Sequence, residues 1–157
     1  MHDLLPAPER APQLLQDYLD HAIPQVAHMQ AKVLSCDEEG LQLKAPLEPN
    51  KNHIGTVFGG SLNSMATLSA WGLVWLLLHE RGAAIVIKDG TMKFLRPATE
   101  DFTARCPLPP QALLEDFLQQ YEQKGSAQLT LNAEVLCGKR KVAVFEGRFV
   151  ARKPRNR

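Results

Sequence analysis

Apolar and polar residues follow several distinct rhythms along the chain. Leu14, Leu15, Tyr18, Leu19 and Ala22 share one face at helical spacing, Pro12 suits a first turn and Pro24 closes the segment. This predicts an amphipathic helix over 12–22. Residues 26–36 and 40–47 are mixed apolar and polar around Asp37-Glu38-Glu39-Gly40, which predicts two strands joined by a short turn. The stretch 61–80 behaves differently. Ser61, Asn63, Ser64 and Thr67 make its start polar on one side, and from Leu68 to Leu78 it is apolar nearly all round. Such a helix has to be enclosed, and a chain of this size can do so only by curving a sheet around it. Gly82 suits its C-terminal end. Strands are predicted at 84–97, stopped by Pro97, and at 101–106. Leu113, Leu114, Phe117, Leu118 and Tyr121 predict a second accessory helix over 111–121, ended by Gly125. Ala127, Leu129, Leu131, Ala133 and Val135 alternate strictly with polar residues. That is the clearest strand, and Cys137-Gly138-Lys139-Arg140 turns it into a last strand, Lys141 to Arg152. About six strands around one buried helix make an α+β domain.

Length adds a bound: 157 residues fill one domain. The expected layout is a single domain over 1–157, with an extended or loosely packed lead-in at 1–12 and a basic, solvated tail at 153–157. Eighteen basic residues against seventeen acidic ones leave a net charge of +1. That balance argues against nucleic acid as a partner. The three cysteines, Cys36, Cys106 and Cys137, are odd in number and form no CxxC pair. They read as reduced thiols of a cytoplasmic protein. Histidines and cysteines lack metal-ligand spacing, so neither metal nor cofactor is expected. The N-terminus has no basic segment followed by an apolar one and does not read as a signal peptide. The apolar stretch Ala66 to Leu78 falls short of the roughly 20 residues of a membrane span, so no membrane partner is expected.

Chemistry concentrates around the start of the long helix. Gly59-Gly60 either offers unpaired N–H groups to a developing oxyanion or only permits a tight turn. Thr67 either orients a water, attacks as an activated nucleophile, or bonds back to its own helix. Asn52 either points its amide at a substrate or closes an Asx-type turn. His53 is the nearby group that titrates near neutral pH, and reads either as a general base or as an exposed loop residue. Asn63 and Ser64 line the same pocket or pack at an interface. Asp89 interrupts an apolar strand, as an acid or base or as the partner of Lys88, Lys93 or Arg96. Trp71 and Trp75 read as core.

The segment Asn52-His53-Ile54-Gly55-Thr56-Val57-Phe58-Gly59-Gly60-Ser61-Leu62, with Phe94-Leu95-Arg96-Pro97-Ala98 after it, resembles the motif of the hotdog-fold thioesterases. The resemblance spans about 25–152. It is strongest to the thioesterase domains of the YiiD C-terminal type, in which Phe replaces the motif His, and more distant to the PaaI-like acyl-CoA thioesterases. It implies a hotdog fold, a six-stranded antiparallel sheet around the helix at 61–80, paired into a homodimer or a dimer of dimers. It implies hydrolysis of acyl-CoA or a related acyl-carrier thioester, without cofactors. By that resemblance Asn52 lies near the thioester and a Gly59 N–H binds its carbonyl. Thr67 stands where those enzymes carry an Asp, and His53, Gly60, Ser61, Asn63 and Ser64 contact substrate. The missing acid leaves two alternatives: an acyl-thioester binding protein without catalysis, or a hotdog dehydratase using His53.

Overall fold

A computed structural model describes residues 4–155. Two helices open it, α1 (Ala11–Ala22) and α2 (Pro24–Met29). The hairpin β1 (Lys32–Asp37) and β2 (Gly40–Ala45) follows, then the long helix α3 (Gly59–Leu78). Next come β3 (Ala84–Phe94), β4 (Phe102–Cys106), α4 (Gln111–Lys124), β5 (Ser126–Cys137) and β6 (Arg140–Arg152). The six strands form one sheet in the order β1-β2-β4-β5-β6-β3, with every neighbour antiparallel. The sheet wraps α3, which gives the hotdog arrangement that the resemblance implies.

Alternation decides which face is which. Ala127, Leu129, Leu131, Ala133 and Val135 of β5 and Phe145, Phe149 and Ala151 of β6 are buried toward α3. The opposite, convex face carries polar residues, among them Glu134, which is bonded by both Arg105 and Lys141. Burial opposes the charge on Glu134, but Lys141 and Arg105 outweigh it and hold its carboxyl below the usual range.

α3 is buried through Leu62, Met65, Ala66, Leu68, Leu73, Val74 and Leu76 to Leu78. α1 crosses it closely at Gly72. A Cβ there would stand 2.9 Å from Leu41 Cδ2 and 3.0 Å from Leu15 Cδ2, so glycine lets the helices approach. With its final 3-10 turn the helix runs Gly59–Arg81, 23 residues at a hydropathy of 1.3, long and apolar enough to cross a bilayer. Its length therefore differs from the short span read from Ala66–Leu78. What marks it as a core helix is enclosure, with 67% of that apolar window buried inside the protein.

Other differences from the sequence reading have local causes. Residues 26–29 are helix rather than strand, because Pro24 both ends α1 and begins α2, a position that suits proline. In the lead-in, the Arg10 and Ala11 amides turn back onto the Ala7 carbonyl, and Leu5 reaches the core. Residues 1–3 of that lead-in lie outside the described residues. In the tail, Lys153 is pinned: its amide donates to the Gly125 carbonyl at 2.9 Å and its Nζ to the Glu122 carbonyl at 3.1 Å. Residues 156–157 are likewise outside the description.

Candidate active site

The approach to α3 is built by two asparagines. Asn50 is buried, and its Nδ2 donates to the Met29 carbonyl at 2.9 Å and the Pro46 carbonyl at 2.8 Å. Its own carbonyl accepts the Phe58 N–H at 2.8 Å, and the Ala98 carbonyl accepts Val57 N–H at 2.8 Å. One residue thus ties the end of α2 to the turn that starts α3. Between these anchors Asn52 closes the loop on itself. Its Oδ1 accepts from Ile54 N at 3.0 Å and Thr56 N at 3.1 Å, and its Nδ2 donates to Thr56 Oγ1 at 2.7 Å. The turn-forming reading of Asn52 therefore holds, with one amide hydrogen left over. His53 sits exposed in this loop.

The first turn of α3 has no side-chain cap. Ser61 N–H and Leu62 N–H both return to the Phe58 carbonyl, at 2.9 and 3.2 Å. Among the described residues, the N–H groups of Gly59 and Gly60 have no acceptor. Such donors at a helix N-terminus suit a negatively charged oxygen. An aromatic ring lies against each glycine. A Cβ on Gly60 would meet the Phe58 ring at 2.5 Å, and one on Gly59 the Phe94 ring at 3.4 Å. Phe58 and Phe94 are themselves exposed, at 58% and 56%.

One to three turns further along α3, Asn63, Ser64 and Thr67 form a polar stripe. Thr67 Oγ1 donates to Asn63 Oδ1 at 3.5 Å, a side-chain partner instead of the backbone carbonyl expected for back-bonding. Gln25 of α2 donates to Ser64 Oγ at 3.0 Å. The stripe opens onto a cavity of about 240 Å³ between α2 and α3, with Ile23, Val26 and Met29 on one wall and Leu68 and Trp71 on the other. None of the residues lining the cavity is charged.

The sequence of residues 12–153 matches the profile of a family described as "Putative thioesterase (yiiD_Cterm)". The chain belongs to that thioesterase family. Solved structures agree with the assignment. A Chlorobaculum tepidum protein of unknown function is 30% identical with a TM-score of 0.88, covering 96% of this chain and 98% of that one. A "putative thioesterase" from Shewanella oneidensis is 30% identical with a TM-score of 0.80, covering 93% and 99%. A Pseudomonas aeruginosa protein described as "probable thioesterase" shares the fold at 21% identity, with a TM-score of 0.78 over 96% and 99%.

In this YiiD-type domain the motif residues divide into three groups within one chain. Gly59, Gly60 and Ser61 cluster at the helix start, and Asn63, Ser64 and Thr67 share the stripe beside the cavity. Asn52 and His53 sit on the preceding loop, and no hydrogen bond joins either to Thr67. Asp89 is paired across strands with Arg148 instead of Lys88, Lys93 or Arg96, as the register Asp89↔Arg148 dictates. The tryptophans are half-buried. Trp71 Nε1 donates to the Ile85 carbonyl at 3.0 Å, and the Tyr18 ring stacks on Trp75 at 4.6 Å. The cysteines lie in the core away from this chemistry. Burial pushes the Cys36 thiol up to about 11 and the Cys106 thiol up to about 12. Sequence reasoning missed Asn50, Gln25 and the α2 wall. Recognising Pro24 as a helix starter would have found α2.

Proposed function

We propose that the protein hydrolyses an acyl-CoA or related acyl-carrier thioester at the start of α3. One observation carries this reading: the unpaired Gly59 and Gly60 N–H groups. A thioester carbonyl seated there would have its oxygen stabilised as it becomes an oxyanion. The oxygen of a water adds to the carbonyl carbon, the C–S bond breaks, the sulfur leaves as thiolate, and the proton lost by the attacking water passes to bulk solvent, which also equilibrates with the released thiolate. A thiol ionises near pH 8.5, so the thiolate departs without an acid to protonate it first. Thr67 is too weakly acidic or basic to take the proton, and its role is to hold the water together with Asn63. The remaining Nδ2 hydrogen of Asn52 is the further donor.

The site is completed by a second copy. The aromatic rings beside Gly59 and Gly60 face solvent, and they are continuous with the open edge of β3, where Val86 is 61% and Ile87 41% exposed. An apolar patch next to unpaired donors fits an interface between protomers. In that dimer Asn52 and Gly59 of one protomer face Thr67 of its partner, and a further doubling gives a dimer of dimers. The buried free thiols suit a reducing cytoplasm.

Thiol release from a panel of acyl-CoAs tests hydrolysis. Asn52→Ala and Thr67→Ala are each expected to be inactive. Co-refolded in equal amounts, they should regain roughly a quarter of wild-type activity, since half the dimers then carry one intact site. No recovery, with mixed dimers verified, overturns the shared site. A second reading, binding of acyl thioesters without turnover, is favoured by the absence of any charged residue from Ser61 to Leu78. Saturable affinity with no thiol release would establish it instead.

A further inference from the structure

We propose that the cavity between α2 and α3 receives the acyl chain, and that it selects an uncharged aliphatic chain of medium length. The proposal rests on the thioesterase reading, and it concerns a part of the molecule outside the motif. The cavity has the polarity of an amphiphile. Its lining divides into polar residues, Asn63, Ser64 and Thr67 with Gln25 bonded to Ser64, and apolar ones, Ile23, Val26, Met29, Leu68 and Trp71. A ligand with a polar end at Thr67 and an apolar tail toward Trp71 matches both parts.

Size sets the chain length. A volume of about 240 Å³ lies just under the usual 300–1,000 Å³ of small-molecule sites. At roughly 30 Å³ for each water-sized unit, it holds roughly eight methylene-sized groups. The rise along α3 is shorter than eight carbons fully extended, so a chain of that size fills the cavity by bending. Thr67 to Trp71 is four residues, about 6 Å of helix, so the tail crosses about one turn before meeting the indole. That indole is fixed by its bond to the Ile85 carbonyl at 3.0 Å, which makes it a floor and not a swinging gate. The lining supplies no positive charge, so a chain ending in a carboxylate would be buried unpaired and rejected.

α2 gives the cavity one wall, and it is joined to the motif. Asn50 holds the Met29 carbonyl of α2 with its side chain and the Phe58 amide with its backbone. A tail that seats against α2 therefore bears on the residue that positions the turn into Gly59 of the same protomer, which in the shared arrangement belongs to the other site.

The experiment is a length series of acyl-CoAs from two to fourteen carbons, read as kcat/KM. In parallel, S-alkyl-CoA thioethers of the same lengths, which cannot be hydrolysed, are titrated by calorimetry. Ile23 is half-buried at the α1–α2 junction, so Ile23→Trp and Ile23→Ala can fill or enlarge the cavity without opening the core. In the wild type, kcat/KM should rise about three- to fourfold per added methylene, peak near eight carbons and then fall. Ile23→Trp should move the peak to shorter chains and Ile23→Ala to longer ones. Adipoyl-CoA should react at least about a hundredfold more slowly than hexanoyl-CoA. Thioether binding whose length optimum moves with Ile23, without any turnover, would support the cavity and overturn hydrolysis. Turnover with a length profile that neither variant moves would overturn the cavity and leave hydrolysis standing. Absence of both length-dependent binding and turnover would overturn both.

Discussion

The two edges of the sheet are finished in opposite ways. At one edge β1 is six residues long and bulged between Val33 and Ser35. Gln16 of α1 closes it, accepting the Val33 N–H at 2.7 Å and donating to the Ala31 carbonyl at 3.2 Å. Leu34 is its one strongly exposed apolar residue. At the other edge β3 is eleven residues long, pairs only with β6, and presents Val86, Ile87 and Phe94 to solvent. Long apolar edges invite pairing, and proteins that avoid it blunt them. This chain blunts one edge with a helix and a glutamine and leaves the other open. The open edge is also the one that runs into the motif, through Phe94 beside Gly59.

The comparison breaks most visibly if the open edge is charged. Val86→Lys combined with Phe94→Lys should weaken self-association by roughly 10²–10³, since interface anchors contribute about 2 kcal/mol or more each. Light scattering reads the change, and activity should fall with it if the site is shared. An unaltered dimer would mean that β3 is not the contact.

How far the sequence reaches can be judged on the same two edges. The strict alternation of β5 and the all-round apolarity of α3 made the wrapped helix legible, because burial imposes both patterns directly. The Gly59-Gly60 turn was legible too, since its residues are contiguous. The glutamine that closes β1 was not, because its partners lie 15 and 17 residues away and leave no periodic trace. α2 was hidden for a related reason: six residues are too few to display a helical period. The Gln25 to Ser64 bond spans 39 residues, and no local pattern records it. Asp89 found Arg148 through strand register, shifted by a bulge between Ile87 and Asp89, which residue types alone do not reveal.

Alkali acts on the buried thiols, one of them in the capped edge strand. Cys36 lies buried in β1, and Cys106 two strands away in β4. Folded, these thiols keep their protons to about 11 and about 12, against 9.0 for an unperturbed thiol. The unfolded chain gives up its protons first, so rising pH favours unfolding. Stability should be flat below pH 9 and then fall by up to about 1.4 kcal/mol per pH unit for each thiol. Urea midpoints between pH 8 and 10.5 measure this, and Cys36→Ala should lower the slope by about a third, because burial raises the Cys137 thiol as well. An equal slope in that variant would assign the loss elsewhere.

Removing the closing side chain gives a smaller effect. Gln16→Ala strands the Val33 amide and the Ala31 carbonyl, and should cost about 1–3 kcal/mol by chemical denaturation with self-association unchanged. A variant of wild-type stability would show that water takes over the cap. The smallest effect belongs to the exposed pair on β3. Asp89→Asn should change stability by no more than about 0.5 kcal/mol, because solvent screens both partners. A larger loss would point to the Arg148 Nε, which is buried without a bond of its own.

Trp71 and Trp75, the two tryptophans of the chain, stand one turn apart on the half-covered stripe of α3. Tyr18 of α1 stacks across both, at 6.2 Å and 4.6 Å. The protein's indole emission therefore comes from a single place, between an accessory helix, the edge strand and the apolar cavity. An ordinary fluorimeter would see α1 lift away from α3 before the sheet melts, and would see the environment of Trp71 change when something enters beside it. The molecule carries its own optical label at the point where packing and occupancy meet.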